Sequence, residues 1–239
     1  MMVYYVVGRP RSGSTFVGDW IARELDILNA GEVWQTVRTL SLDDKGVPIE
    51  GEGRWARPEA RAAKNAEICA DPFWSQVFSD PDLDPYAALV EKVQSRWSAF
   101  VDCSKTDEGI ERYRQLGCKV IVVHTVRAYS TWVRSVRAYR EQHDLARYGR
   151  LRLLVSYIRN NRRLARYAKT HDYYAIRQEQ LAEAERHLPR GLSEHGSDGG
   201  YERHEMFGTP NFNSTYSQKR ALPKVTWFDH ILYWLIGAR

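Results

Sequence analysis

The segment Val3-Tyr4-Tyr5-Val6-Val7 runs straight into Gly8-Arg9-Pro10-Arg11-Ser12-Gly13-Ser14-Thr15, and this junction constrains the fold more than any other part of the chain. An apolar strand meets a Gly/Ser/Thr turn, and the turn opens an amphipathic helix. That order makes an anion cradle. The first N–H groups of a helix have no carbonyl partner upstream, and the helix dipole adds positive potential at the same place. Arg9 and Arg11 bring guanidinium groups, suited to bidentate oxyanion contacts, beside the cradle.

The spacing of Gly8 and Gly13, followed by Ser14-Thr15, is that of the nucleoside-triphosphate P-loop with serine in place of its lysine. That lysine reaches β- and γ-phosphates, so its replacement points to a nucleotide without them. Strand and helix signals then alternate, which predicts an α/β fold of P-loop type with a central, mainly parallel sheet flanked by helices. The expected strands are Val3–Val7, Ala99–Cys103, Lys119–Thr125 and Tyr173–Ile176. Phe16, Val17, Trp20, Ile21 and Leu25 line one face of the helix after the loop. Further helices are expected at Tyr86–Arg96, Glu108–Leu116 (closed by Gly117), Ser130–Arg140 and Leu145–Ala168. Ser41–Arg61, with its glycines and prolines, reads as a long loop, and Gly191–Gly200 as a Gly/Ser-rich one. Both are candidate lids. Neither separates two complete sheets, so residues 1–239 read as one domain.

The net charge of +5 fits a phosphate-bearing ligand. The basic residues from Arg127 to Arg166 alternate with apolar ones at helical spacing, so they read as solvated helix faces and a phosphate site rather than a nucleic-acid arm. Cys69, Cys103 and Cys118 have no metal-ligand spacing and read as reduced, partly buried thiols of a cytoplasmic protein; no metal site and no secretory signal are expected. Phe228–Ile236 reads as a docked terminal helix, with contact to a membrane interface as the alternative.

A second anion motif follows the buried strand. Arg127 ends it, and Ser135 lies eight residues on in a helix, so both can converge on one anion across the strand–helix turn. With the first loop, these residues resemble the sulfotransferases that use 3′-phosphoadenosine 5′-phosphosulfate. Gly8–Thr15 is similar to their 5′-phosphosulfate loop, and Val122–Ser135 to their 3′-phosphate motif, with Ala128-Tyr129 in place of the usual Asp-Pro. Val101-Asp102-Cys103-Ser104-Lys105 is similar to a strand-end Ser/Asn-Lys motif of bacterial and tyrosylprotein members. Gly31-Glu32 matches the Gly-Glu that follows their loop. Arg177–Leu181 resembles a degraded Tyr-Glu-Asp-Leu segment, and His204–Pro210 with Asn213–Arg220 the closing Gly-Asn-Pro region.

The resemblance implies 3′-phosphoadenosine 5′-phosphosulfate as co-substrate, 3′,5′-diphosphoadenosine as product, and no metal. It implies Glu32 as general base, with Arg11 and Lys105 neutralising the sulfuryl oxygens and the departing phosphate. Arg9, Arg11, Ser12, Gly13, Ser14, Thr15, Arg127, Ser135, Lys219 and Arg220 would hold the nucleotide. A small-molecule, carbohydrate or lipid-linked hydroxyl would be the acceptor, with no nucleic-acid partner. His124 reads as a satisfied core histidine. His204 reads as an inert loop histidine, with a nucleotide contact as the alternative, and Trp20, Trp132 and Trp227 suit either core faces or an adenine stack. The alternatives are a P-loop kinase or NTPase, for which Asp102 is the one tempting magnesium ligand, and a non-catalytic nucleotide-binding module.

Overall fold

The computed structural model describes residues 1–41, 58–180, 200–204, 206 and 225–238. Lys219 and Arg220, nearly all of Gly191–Gly200 and most of Ser41–Arg61 lie outside these residues. The strands are β1 (Met2–Gly8), β2 (Leu28–Asn29), β3 (Ala99–Lys105), β4 (Lys119–Val126), β5 (Asp172–Arg177) and β6 (Glu202–Arg203). They form one sheet in the order β5-β4-β1-β3-β2-β6, and every pairing is parallel. With helices on both faces this is a three-layer α/β architecture consistent with the P-loop class, as expected.

The helices are α1 (Ser14–Glu24), α2 (Val33–Ser41), α3 (Pro58–Ala70), α4 (Pro72–Val77), α5 (Pro85–Gln94), α6 (Glu108–Gln115), α7 (Tyr129–Gln142), α8 (Arg150–Ala165) and α9 (Trp227–Leu235). The period-two alternation of β1 divides the core. Val3, Tyr5 and Val7 pack with Trp74, Leu89 and Tyr113 of α4, α5 and α6. Tyr4 and Val6 pack with Val17 and Ile21 of α1 on the opposite face. A third cluster joins Trp132 of α7, Leu153 and Tyr157 of α8, Leu232 and Tyr233 of α9, and Ile236 just past its end.

Local chemistry explains the helix starts. Asp71 and Asp84 each stand before a proline at the first helical position, and their side chains accept from the next N–H groups, Phe73 and Trp74 in one case and Tyr86 and Ala87 in the other. Gly117, at φ 76°, closes α6 in the left-handed conformation, as its position in the sequence predicts.

Several elements differ from the sequence reading. The helix expected from Leu145 begins at Arg150: α7 ends at a left-handed Asp144 (φ 52°), and Leu145 N–H turns back to the Arg140 carbonyl at 2.8 Å. Residues 58–61 of the expected loop open α3. Helices α2 to α4 and strands β2 and β6 carry no signal that the sequence made readable. Cys103 and Cys118 are buried, whereas Cys69 on α3 is exposed rather than partly buried; all three are free.

Candidate functional site

The parallel register brings the carboxyl ends of the central strands level. Val7 is paired with Lys105 on one side of β1, and Gly8 with Thr125 on the other. The loop between β1 and α1 therefore lies between the ends of β3 and β4. Its floor is tightly built. Ser12 N–H donates to the Arg9 carbonyl at 3.0 Å. The Ser12 and Thr125 hydroxyls meet at 2.8 Å, and Thr125 donates to the Val7 carbonyl. Only glycine fits at position 8, where a Cβ would stand 2.3 Å from Thr125 Oγ1 and 2.6 Å from Ser12 Oγ. The Trp132 indole donates to the Pro10 carbonyl at 3.0 Å and clasps the loop from α7.

Gly13, at φ 94°, precedes α1 and has no side chain with which to cap it. The first-turn N–H groups of Ser14 and Thr15 therefore receive no side-chain cap from the residue before the helix. Ser12 is different: both its N–H and its hydroxyl are taken up internally. Arg9, expected with the nucleotide, stacks on Trp132 at 4.6 Å and donates to the Ser156 carbonyl and hydroxyl on α8. It braces the loop. Burial, with Arg159 nearby, pulls its pKa down.

Arg11 joins Ser135 and Arg127. Arg11 Nε donates to Ser135 Oγ at 3.2 Å, and Arg127 Nη1 donates to the Arg11 carbonyl at 3.2 Å. Arg127 Nε is steadied by Thr131 Oγ1 at 3.0 Å, and its carbonyl accepts from the Tyr157 hydroxyl. Among the described residues no carboxylate pairs with Arg11. The start of α7 is already capped from within. Glu179 accepts from Ala128 N–H at 2.8 Å, and Asp229 accepts from Ser130 N–H at 3.1 Å. Any anion here therefore meets side-chain cations rather than the α7 terminus.

One strand further along, Lys105 is ion-paired with Glu32 at the start of α2. Gly31, at φ 70°, turns the chain out of β2, and its carbonyl accepts from Cys103 N–H on β3. That bond fixes the Glu32 backbone beside Lys105. Beneath the pair, Asp102 Oδ1 accepts from the Ser104 N–H at 2.8 Å and from its hydroxyl, and Oδ2 accepts from Tyr113 at 2.9 Å. Ser104 Oγ in turn accepts from Trp34 N–H at 2.8 Å. Asp102 thus ties the end of β3 to the start of α2. Burial pushes its carboxyl up to about 7, against the lowering effect of the hydrogen bonds from Ser104, Tyr113 and Val33.

Backbone strain marks the same two cations. Among the described residues, the non-glycine positions at positive φ are Arg11 (72°), Asp26 (55°), Lys105 (66°) and Asp144 (52°). Such conformations persist only where surrounding structure enforces them, and they concentrate at functional sites. Arg11 and Lys105 flank the carboxyl end of β1, and about 10 Å separates β3 from β4 across it.

The remaining predicted residues sort out plainly. His124 is a satisfied core histidine: Tyr173 OH lies at 2.6 Å from Nδ1 and Asn161 Oδ1 at 3.0 Å from Nε2, and burial drives its pKa down to about 4. His204 stacks on Phe73 and lies just after β6, three strands from β1, a separation of about 14 Å. Trp20 and Trp132 are buried, whereas Trp227 is exposed on α9. Sequence reasoning missed the Trp132 clasp, the Arg11 guanidinium lying 5.8 Å from the Tyr139 ring, and the Asp102–Ser104–Tyr113 buttress. No family model and no curated protein matches this chain.

Proposed function

We propose that this protein transfers a sulfuryl group from 3′-phosphoadenosine 5′-phosphosulfate to an acceptor hydroxyl. One observation carries the reading. An uncapped helix terminus, an Arg11–Arg127–Ser135 cluster and a Glu32–Lys105 pair share one end of a parallel sheet, with both Arg11 and Lys105 held in strained backbone. A nucleotide with separate 5′- and 3′-anionic groups needs two cationic anchor points of this kind. Ser14 in place of a lysine fits a donor without β- and γ-phosphates.

In this reading the N–H groups of Ser14 and Thr15 hold the 5′-phosphate, while Arg127 and Ser135 hold the 3′-phosphate. Glu32 takes the acceptor's proton as the acceptor oxygen bonds to sulfur. The bond from sulfur to the bridging oxygen breaks, and 3′,5′-diphosphoadenosine leaves. Lys105 and Arg11 stabilise the charge that spreads over the sulfuryl oxygens and the leaving phosphate, as in phosphoryl transfer. Lys105 serves both states: paired with Glu32 at rest, it turns to the developing charge once Glu32 is protonated. The kinase reading has less support, because both oxygens of Asp102 are engaged inside the protein.

Calorimetric titration with 3′,5′-diphosphoadenosine, AMP and Mg-ATP tests the reading, on the native chain and on Arg127→Ala. The bisphosphate should bind in preference to both others. Arg127→Ala should weaken it by about 30-fold, the worth of a hydrogen bond to a charged group. Preference for Mg-ATP, or indifference to the 3′-phosphate, would overturn the proposal. Glu32→Gln should leave bisphosphate binding intact and slow transfer to acceptor or water by roughly 100- to 10,000-fold. Intact turnover in that variant would remove the base assignment.

A further inference from the structure

We infer that α8 and α9 together form a docking face for an anionic lipid bilayer, on which the protein rests without crossing it. The inference stands apart from the sulfuryl-transfer reading.

Helix α9 is apolar on both sides, which ordinarily means burial on both sides. Its inner side carries Leu232 and Tyr233, with Ile236 just past its end, all within the third core cluster. Its outer side carries Trp227, Ile231 and Trp234, 74 %, 43 % and 59 % exposed, with Phe228 on the flank. These residues recur at i, i+4 and i+7, a single stripe along the helix. The helix is fixed in place: Asp229 completes a capping box with Thr226 and accepts from Ser130 of α7, and hydrogen bonds from both hold its carboxyl below the ordinary range although burial acts the other way. The outward stripe is therefore held rigidly.

The neighbouring helix extends the face. Leu151 and Val155, 74 % and 54 % exposed, lie one turn apart on the side of α8 that also carries Arg162, whose Nε donates to the Leu235 carbonyl. The Phe228 ring packs against Tyr129, whose hydroxyl donates to the Arg150 carbonyl, so the near ends of α8 and α9 adjoin. Arg150, Arg152, Arg159 and Arg162 are all exposed along α8, as is Arg166 just past its end. No Asp or Glu stands between Asp144 and Asp172.

Exposed aliphatics, tryptophans at the rim and a belt of arginines without acids are the features of an interfacial membrane contact. The apolar stripe enters the acyl boundary, the indoles sit at headgroup level, and the arginines meet anionic headgroups. A nucleic acid would use the arginines but leave Leu151, Val155 and Ile231 in water. No described helix is long and apolar enough to cross a membrane, and α9 is nine residues long. The contact is peripheral.

Co-sedimentation with vesicles tests this, using phosphatidylcholine alone and an equimolar phosphatidylcholine–phosphatidylglycerol mixture. The native chain should pellet with the mixed vesicles only, with a blue shift of its tryptophan emission, and added salt should release it. Trp227→Ser with Ile231→Ser should weaken binding by at least about tenfold. Arg159→Gln with Arg166→Gln should weaken it by about fivefold per arginine. All four positions are exposed, so far-UV circular dichroism and urea midpoints should match the native chain. Failure to pellet with either vesicle, or equal binding to both, would overturn the inference. So would a concentration-dependent dimer in sedimentation velocity that Trp227→Ser with Ile231→Ser abolishes, because a second copy would then be the occupant.

Discussion

Replacing Arg11 by alanine and by glycine separates what the side chain does from what the backbone endures. Either variant removes the Nε–Ser135 hydrogen bond and the contact with the Tyr139 ring, so the difference between them reports the backbone alone. At φ 72° the Cβ of any L-residue crowds the following carbonyl, at a cost of about 1–2 kcal/mol that glycine avoids. Glycine loses more chain entropy on folding, worth roughly 0.5–1 kcal/mol against alanine. At the midpoints of these ranges the strain outweighs the entropy, so Arg11→Gly should be the more stable variant by about 0.75 kcal/mol. At Arg159, an ordinary helical position on α8, the order should invert, with alanine ahead by about 1 kcal/mol. Urea denaturation with matched m-values measures both differences. Affinity for 3′,5′-diphosphoadenosine should fall equally in the two Arg11 variants, since each lacks the guanidinium. An Arg11→Ala chain as stable as Arg11→Gly would refute the strain argument, and with it the use of backbone strain to mark this site.

Two other perturbations probe the frame around the loop. In Gly18→Ala the new Cβ would lie 2.0 Å from Cys103 Sγ, prising α1 from β3. We expect a loss of about 1–3 kcal/mol, largely recovered in Gly18→Ala with Cys103→Ala, and additive losses in a double-mutant cycle would contradict the close approach. Asp102 and His124 set opposing pH dependences. Asp102, raised to about 7, favours the fold below its unfolded value of 3.8 and loses that contribution as pH rises through 7. His124, lowered to about 4, favours the fold above 6.5 and loses that contribution as pH falls through 4. The native chain should therefore show a shallow dependence between these limits. Asp102→Asn should expose the histidine as a decline of about 3 kcal/mol from pH 7 to 4, read from urea midpoints. A flat profile in that variant would show that His124 is not perturbed as described.

The sequence made the loop, the strand before it and the Arg127–Ser135 spacing readable for one reason: each lies where a strong strand meets a helix, so local pattern fixes geometry. Glu32 and Lys105 were readable only through resemblance, because Glu32 follows a two-residue strand too short to show a period. Nothing local says that the Cys103 N–H would bond the Gly31 carbonyl and set them side by side. The buttress under Lys105 was missed for a related reason. Asp102 and Ser104 lie two apart on one strand, and their partner Tyr113 reaches Asp102 only once α6 packs on the sheet. The terminal helix shows the same limit. Its apolar content was plain, but which side faced α8 depended on Asp229, whose partner Ser130 lies 99 positions earlier.

On the proposed function, the charges of the two halves of the site differ in kind, and this would separate binding from turnover. Arg11 and Arg127 present guanidinium groups that take no part in the proton transfer. Lys105 and Glu32 neutralise one another until a proton moves between acceptor and carboxylate. The nucleotide-binding half should therefore respond to salt and not to pH, once the phosphates are fully ionised above their second pKa of about 6. Turnover should depend in addition on the proton that passes from the acceptor to Glu32. Calorimetric affinities for 3′,5′-diphosphoadenosine that hold steady from neutral to mildly alkaline solution, but fall with added salt, would match this division. An affinity that changed with pH while remaining indifferent to salt would place the nucleotide on Lys105 and Glu32 instead of the arginines.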